Sequence, residues 1–600
     1  MMTKKKMIIL AVTALLATNL LYAQSDIGID YYRLGDLIKA KEFLTRDLAT
    51  NPALNNYYLG EIAFAENNPA QAAEYYAKGL AADPESLLNQ IGQLKLKLKS
   101  DPQGTEKLLT ALSKKAKKDV DAQIAIARAY LDNGMLAQAN KQYDAAHKAG
   151  SKNPAVYILE GDIKLKEGSD SKKLGEAAGK YDQAVYFDPN YLLGYMKSAE
   201  VYEKINSGLA IEKMKTVIEK NPNYMPALGL IGRIYTQNGF YPEAIATYKK
   251  YIASGVYSID DLAKYVWAEF YVEPASGDPK DKDYTEAKKI VQQGLQLDPN
   301  HFALNRFLMY IDAKTAQTDD GLAVADKFFK IRNDTSYIDQ DYLNYALLLT
   351  QAKRYDDAYA SFDKAVALAA DKDKLRIYDE AASTAGDAKD YVKAAEYIQQ
   401  KIKEAIKQSD DPEFKGTLVD ITTMGYDYFL AGNASAKNLS AAEELMKNPA
   451  IVDMVKTSVA GVLPDSLNDV NYFARAYGKY YLTKADSVFD VQIAMAPESY
   501  QGYRLKAQAK HGLNPDYKAG DAKPHYEKVI EILTQPDNEL TPATKRVLLE
   551  AYTSLGYHYY LNDDKANTIL YFTKVLELEP GEAQAKQAKD IIDDVNKNLK

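Results

Sequence analysis

The chain has 600 residues, with 75 Lys and Arg against 83 Asp and Glu and 46% hydrophobic residues, the composition of a folded, mildly acidic protein. The absence of cysteine excludes thiolate enzymes, disulfide frameworks and Cys-ligated metal centres, and five histidines leave little material for a His-built one. A net charge of −8 is unsuited to nucleic acid, whose binding needs clustered positive charge.

In chain order, the first element is residues 1–23. Lys4-Lys5-Lys6 precede an apolar run from Met7 to Leu21 and the small-residue end Leu21-Tyr22-Ala23, the layout of an export signal. The run falls short of the roughly 20 apolar residues a membrane span needs. Cleavage before Gln24 is therefore expected, leaving a periplasmic mature chain with no transmembrane segment.

A repeated frame follows. A small residue is succeeded by Ala at +12, a bulky apolar residue at +16 and Pro at +24, as in Gly28/Ala40/Leu44/Pro52 and Gly60/Ala72/Tyr76/Pro84. The frame without its proline recurs as Ala127/Ala139/Tyr143, Gly232/Ala244/Tyr248, Ala346/Ala358/Phe362 and Ala382/Ala394/Ile398. Its second half recurs as Ala177/Tyr181/Pro189, Ala210/Met214/Pro222, Ala287/Val291/Pro299 and Ala485/Phe489/Pro497, and Gly556/Thr568/Phe572/Pro580 restores the whole near the end. Each unit holds two stretches of 3.6-residue apolar periodicity, split by a polar break such as Asn67-Asn68-Pro69 or Asn238-Gly239. The small residue and the Ala belong where two antiparallel helices cross, and the bulky residue one turn after the Ala fills the seam. Asx-Pro pairs such as Asp83-Pro84 and Asp298-Pro299 stop each second helix, because the residue before proline is driven out of the α region.

Breaks in the frame are expected at Glu167–Glu176, Glu273–Asp283, Gly432–Ser440, Asn514–Lys523 and Gln535–Thr541, and Leu418–Leu467 reads as irregular helices. Ser409-Asp410-Asp411-Pro412 divides the chain into an N-terminal solenoid, 24–409, and a C-terminal one, 410–600. The final stretch, with Ile591, Ile592 and Val595 on one stripe, reads as a solubilising cap.

Catalytic, cofactor and metal motifs are missing from the sequence. There is no phosphate-binding Gly-rich loop, no GxSxG elbow and no HExxH. The acidic loop Asp278–Asp283 lacks calcium-hand spacing, and adjacent pairs such as Glu443-Glu444 and Asp593-Asp594 point apart on a helix. No enzyme and no cofactor are expected.

The 32-to-34-residue helix–turn–helix unit with small, Ala, aromatic and Pro marks resembles the tetratricopeptide repeat (TPR). The resemblance covers most of 26–600, although the family's tryptophan position is not filled by Trp and the single Trp267 lies in a weaker unit. It implies an all-α superhelical solenoid of about 12 to 14 hairpins with a C-terminal capping helix. It also implies an inner surface lined by first-helix residues opposite the seam, here Tyr57, Glu61, Phe64, Arg128, Glu200, Arg233, Arg475, Tyr557 and Tyr560. The family's clamp for a peptide carboxylate needs Lys and Asn where this chain has Tyr57, Glu61, Ile124 and Arg128, so it is not expected. The implied function is a periplasmic scaffold or adaptor that binds other proteins, as an accessory subunit of an outer-membrane-associated complex for secretion, insertion or uptake. A cell-wall glycan or oligosaccharide module, stacking sugars on the tyrosines outside the seam, is the alternative.

Overall fold

A computed structural model describes residues 27–598 of the chain, which fall into two compact units divided at Ile311/Asp312. Among the described residues every regular element is helical, and the helices pair in sequence as antiparallel hairpins.

Unit 1 contains α1 (residues 27–33), α2 (Leu37–Arg46), α3 (Pro52–Ala65), α4 (Pro69–Ala82), α5 (Leu87–Lys95), α6 (Pro102–Lys115), α7 (Val120–Asp132), α8 (Leu136–Ala149), α9 (Pro154–Glu167), α10 (Ser171–Phe187), α11 (Leu192–Tyr202), α12 (Ser207–Lys220), α13 (Met225–Gln237), α14 (Tyr241–Ala253), α15 (Ile259–Tyr271) and α16 (Thr285–Leu297). The division falls within α17 (Phe302–Lys314). Odd-numbered helices open each hairpin, even-numbered ones close it, and successive opening helices also pack on one another, α3 on α5 and α5 on α7.

The seam is built as the frame requires. A Cβ placed on Gly60 would come within 2.4 Å of the Tyr76 ring, and one on Gly92, in the next hairpin, would also meet that ring at 2.4 Å. Tyr76 is thus clasped between two glycines 32 positions apart, and its position admits no side chain on either flank. Gly232 against Tyr248 and Gly556 against Phe572 repeat the contact at 3.0 and 2.9 Å. The Ala positions Ala40, Ala72, Ala139, Ala177, Ala210 and Ala244 are all buried. Within a hairpin the chain turns through left-handed residues, Asn67 at φ 59° and Gly239 at φ 77°, which Asn and Gly adopt at least cost.

Between hairpins the Asx-Pro pairs do more than stop a helix. Asp83, Asp188 and Asp298 accept hydrogen bonds from the backbone N–H two residues on, from Glu85, Asn190 and Asn300 at 3.0, 2.9 and 2.9 Å. The proline sits in this turn, and the next helix begins a few residues later.

Unit 2 continues with α18 (Thr318–Phe328), α19 (Asp339–Gln351), α20 (Tyr355–Leu368), α21 (Asp371–Asp387), α22 (Tyr391–Gln408), α23 (Leu418–Ser435), α24 (Leu439–Leu445), α25 (Pro449–Ser458), α26 (Val470–Met495), α27 (Tyr500–Leu513), α28 (Lys523–Leu533), α29 (Pro542–Leu561), α30 (Lys565–Glu577) and α31 (Glu582–Asn598). The irregular segment is an insertion inside a hairpin. α23 pairs with α26, and a Cβ on Gly425 would meet the Phe489 ring at 2.6 Å, so the seam partner stands 64 residues away instead of 16. α24, α25 and the turn Pro464–Asn468 fill the interval and lend Ala442, Val455 and Leu467 to the core. α31 caps the stack by burying Ala588 and Val595, with Ile591 and Ile592 packed against the same cluster.

Two expectations have no counterpart in the described structure. The stretch 1–23 read as an export signal lies outside the described residues. The division at 409/410 does not coincide with the division at Ile311/Asp312, because one core runs without interruption from Leu343 through Ile402 and Ile421 to Ala509 across the Ser409–Pro412 turn.

Candidate functional site

Two of the sequence-derived inner-face residues of unit 1, Tyr57 and Glu61, reach the seam itself, the Tyr57 ring lying 6.1 Å from the Tyr76 ring and Glu61 accepting from its hydroxyl. Their use differs from the expectation. Tyr57 and Glu61 are buried, at 5% and 2% exposure, and present nothing to a guest. Glu61 accepts hydrogen bonds from the Tyr76 hydroxyl at 2.6 Å and from Lys95 Nζ at 2.7 Å, and Lys95 also reaches Asp132 at 2.6 Å. Phe64, half-buried, lies under the Lys95 ammonium, 4.3 Å from its ring centroid. The physical reason is close approach: adjacent opening helices are near enough for charges on one to pair with charges on the next, and a buried charge must be paired.

Arg128 continues the series, donating to Asp162 at 2.7 Å, and Asp162 also accepts from the Tyr181 hydroxyl at 2.7 Å and faces Lys197 at 3.3 Å. Arg233 donates to both Glu203 oxygens at 2.8 Å. These pairs are separated by 30 to 37 residues, one repeat length, so a ladder of ion pairs fastens the opening helices from α3 to α13. Burial alone would push the Asp162 carboxyl up, but Lys197, Arg128 and the Tyr181 hydroxyl outweigh it and hold the group at about 2. Burial outweighs the cations at Glu200, whose carboxyl is raised although Lys197 and Arg233 oppose the shift. Sequence reading missed Lys95, Asp132, Asp162, Lys197 and Glu203. The available signal was opposite charges one repeat apart, a pattern hidden by searching for apolar periodicity alone.

The first hairpin has a second contact surface. Besides α3, it packs against residues about 160 to 220 positions later. Arg33 donates to the Tyr191 hydroxyl at 3.0 Å, the Tyr224 hydroxyl bonds to Asp30, and Lys39 Nζ reaches Asp261 at 2.7 Å and Asp36 at 2.9 Å. The same ammonium lies over the Tyr31 and Tyr251 rings, at 5.5 and 5.3 Å. Met225 and Val256 join the apolar cluster formed by Ile29, Tyr31 and Phe43. A cavity of about 120 Å³ remains at this junction, lined by Tyr31 and Lys39 on one side and by Glu200, Arg233, Tyr251 and Asp261 on the other. The first hairpin therefore rests on the face of α11, α13 and α15 that carries the expected inner-face residues Glu200 and Arg233.

Farther along α15 the surface turns aromatic. Trp267 and Tyr271, one turn apart on α15, are 40% and 42% exposed, Phe240 is 44% exposed, and Tyr241 stacks on Tyr271 with centroids 6.0 Å apart. In unit 2, Arg475 is exposed, Tyr557 packs edge-on against Phe572 at 5.5 Å, and the Tyr560 hydroxyl donates to Asp594 at 2.8 Å. Tyr560 thereby fastens the capping helix. Asp278 and Asp283 of the acidic loop accept from the backbone N–H groups of Lys280 and Thr285, which makes them turn caps. Among the described residues no cluster of His, Asp and Glu is arranged to hold a metal, and no helix is long and apolar enough to cross a membrane.

Hairpins of repeat length, a small-residue and aromatic seam, and opening helices stacked on opening helices are now in place. A TPR repeat-containing protein of Bacillus subtilis (strain 168), YpiA, is 26% identical over 355 residues, spanning 56% of this chain and 77% of its own length. The chain resembles this tetratricopeptide repeat protein. No family model matches it. Among solved structures, the C-terminal part of a TPR repeat-containing protein from Cytophaga hutchinsonii aligns at 21% identity and TM-score 0.33 over 52% of this chain and 94% of that one. A tetratricopeptide repeat protein from Parabacteroides merdae aligns at 19% identity and TM-score 0.31 over 44% and 98%. The resemblance rests on the seam and the repeat length.

Proposed function

We propose that the protein is a non-enzymatic scaffold that grips segments of other proteins, that it is exported by residues 1–23, and that it serves an outer-membrane-associated complex of secretion, insertion or uptake from the periplasmic side. One observation supports the gripping role above the others. The face of α11, α13 and α15 already holds a protein segment, the chain's own first hairpin, through an ion pair, tyrosine hydroxyls and apolar contacts. That mixture of aromatic, cationic and apolar groups is what concentrates binding energy at protein interfaces. The basic start and apolar run of residues 1–23 support export. The envelope assignment follows from that signal by analogy.

The test is photo-crosslinking in intact cells from probes at Arg475 and Trp267, with mass measurement of the mature chain. The reading expects a chain beginning at Gln24 in the periplasmic fraction, crosslinked to a defined envelope protein. A chain retained at full length in the cytosol would overturn it.

The exposed Phe240, Trp267 and Tyr271, with half-buried Tyr241 stacked on Tyr271, favour a second reading, stacking on sugar rings of the cell wall. That reading expects retention on peptidoglycan at high salt, lost in Trp267→Ala.

A further inference from the structure

The first hairpin is held differently from the hairpins after it. Hairpins two onward are flanked in sequence on both sides, and their seams close on buried glycine–aromatic contacts such as Gly60, Tyr76 and Gly92. Among the described residues the first hairpin has one sequence neighbour, α3, and its other contact is made across the unit to the N-terminal ends of α11, α13 and α15, at Tyr191, Tyr224 and Asp261, and to Tyr251 of α14. That second contact joins an apolar patch at Met225 and Val256 to a polar centre and rim. Its centre is Lys39 between Asp36 and Asp261, its rim is Arg33 with Tyr191 and Asp30 with Tyr224, and it leaves the small cavity at Tyr31 and Tyr251 unfilled. The buried hydroxyls of Tyr31 and Tyr251 face only each other there. Groups of this kind regain hydration when they separate, so the contact opens at lower cost than an apolar seam.

The receiving side is formed independently of its occupant. Asp261 is the third residue of α15, and its carboxylate accepts from the Ser258 backbone N–H at 2.8 Å and from the Ser258 hydroxyl at 2.9 Å. This capping box fixes the carboxylate whether or not Lys39 is present. Tyr251 is anchored beside Gly229, whose missing side chain leaves room for the tyrosine ring. A preset carboxylate next to a tyrosine ring selects a cation that lies on an aromatic face.

We propose that the face of α11, α13 and α15 is a docking surface for an amphipathic helical segment presenting a lysine beside a tyrosine, and that residues 27–46 are its occupant in cis, detachable while the other hairpins stay folded. The proposal rests on the reading of the stack as a protein-gripping scaffold and adds its regulation: a partner segment must displace the chain's own first hairpin, and a partner that binds only the vacated state shifts that equilibrium toward itself.

The experiment uses the full chain, wild type and Lys39→Glu, with a fluorescein-labelled peptide of residues 27–48 as probe. Hydrogen exchange in Lys39→Glu is expected to rise over residues 27–46 and to stay unchanged over residues 52–187. The peptide is expected to bind Lys39→Glu at least ~10-fold more tightly than wild type, whose site is filled, and the same peptide carrying Lys39→Glu is expected to bind neither. Exchange rising alike across 27–187 would show the first hairpin to be part of one cooperative block and overturn the proposal. Equal binding to both chains, or to neither, overturns it as well. Should Lys39→Glu lose its helical circular dichroism, the double variant Arg33→Gln with Tyr224→Phe loosens the rim instead and is read by the same two measurements. Neither measurement depends on export or on an envelope partner, so failure of the proposed function leaves this result standing, and the converse holds.

Discussion

Glycine and charge carry most of the information at the scale of single residues. Gly60→Ala forces a methyl into the Tyr76 ring and is expected to destabilise unit 1 by about 1–3 kcal/mol. Gly179→Ala, in the interior of α10 with open space around it, is expected to stabilise by about 0.5–1 kcal/mol. Urea denaturation of the two variants beside wild type measures both, and equal effects would show that the Gly60–Tyr76 contact is not tight. Asp162 offers a pH test. Its folded carboxyl sits at about 2, below the ordinary 3.8, so the ion pairs contribute their full share above about pH 4 and lose it as pH falls through about 2. The shift corresponds to about 2 kcal/mol. Asp162→Asn is therefore expected to be less stable than wild type at pH 7, with the gap narrowing between pH 4 and pH 2. A gap independent of pH would mean that packing, not charge, holds this residue. The seam residues were legible because size is written in residue type. The fate of Tyr57 and Glu61 was not, since a tyrosine and a glutamate on a helix face read alike whether solvent or a neighbouring lysine lies beyond them.

At the scale of elements, the hairpin is the unit that sequence periodicity describes well, and an insertion is where it fails. The frame around Ala177 and Tyr181 shows only its second half because residues 167–176 lengthen the connection, which moves the glycine partner to Gly161, against which the Tyr181 ring would lie at 2.4 Å from a Cβ. The frame around Ala485 and Phe489 lacks its first half for the same reason, enlarged: α24 and α25 stand between α23 and α26. A search at fixed spacing cannot see a partner displaced by an insertion, although the two surfaces fit as they do elsewhere. The inserted helices have fewer buried groups than their hosts, α24 burying Ala442 and α25 Val455. Backbone amides of residues 439–458 are therefore expected to exchange at least ~10-fold faster than those in the middle of α23 and α26. Protection equal to that of α26 would make the insertion an integral part of the hairpin.

For the whole molecule, stability is the sum of what each hairpin gains from its neighbours, and the described chain falls into two such sums. Thermal unfolding is expected to show two transitions, with Gly60→Ala lowering one and Gly425→Ala, which drives a methyl into the Phe489 ring, lowering the other. A single transition moved equally by both would show that the units unfold together. By itself the sequence determined the class of fold, the repeat length, the identity of the seam residues and the terminal cap, because these depend on side-chain size and spacing within about 35 residues. Tertiary structure alone decided which opening-helix charges are consumed in the ladder, which hairpin the inserted helices interrupt, and that the first hairpin returns to lie on α11, α13 and α15. The last two of these depend on distances between residues more than one repeat apart. Such distances arise from small rotations accumulated hairpin by hairpin, which no local pattern records.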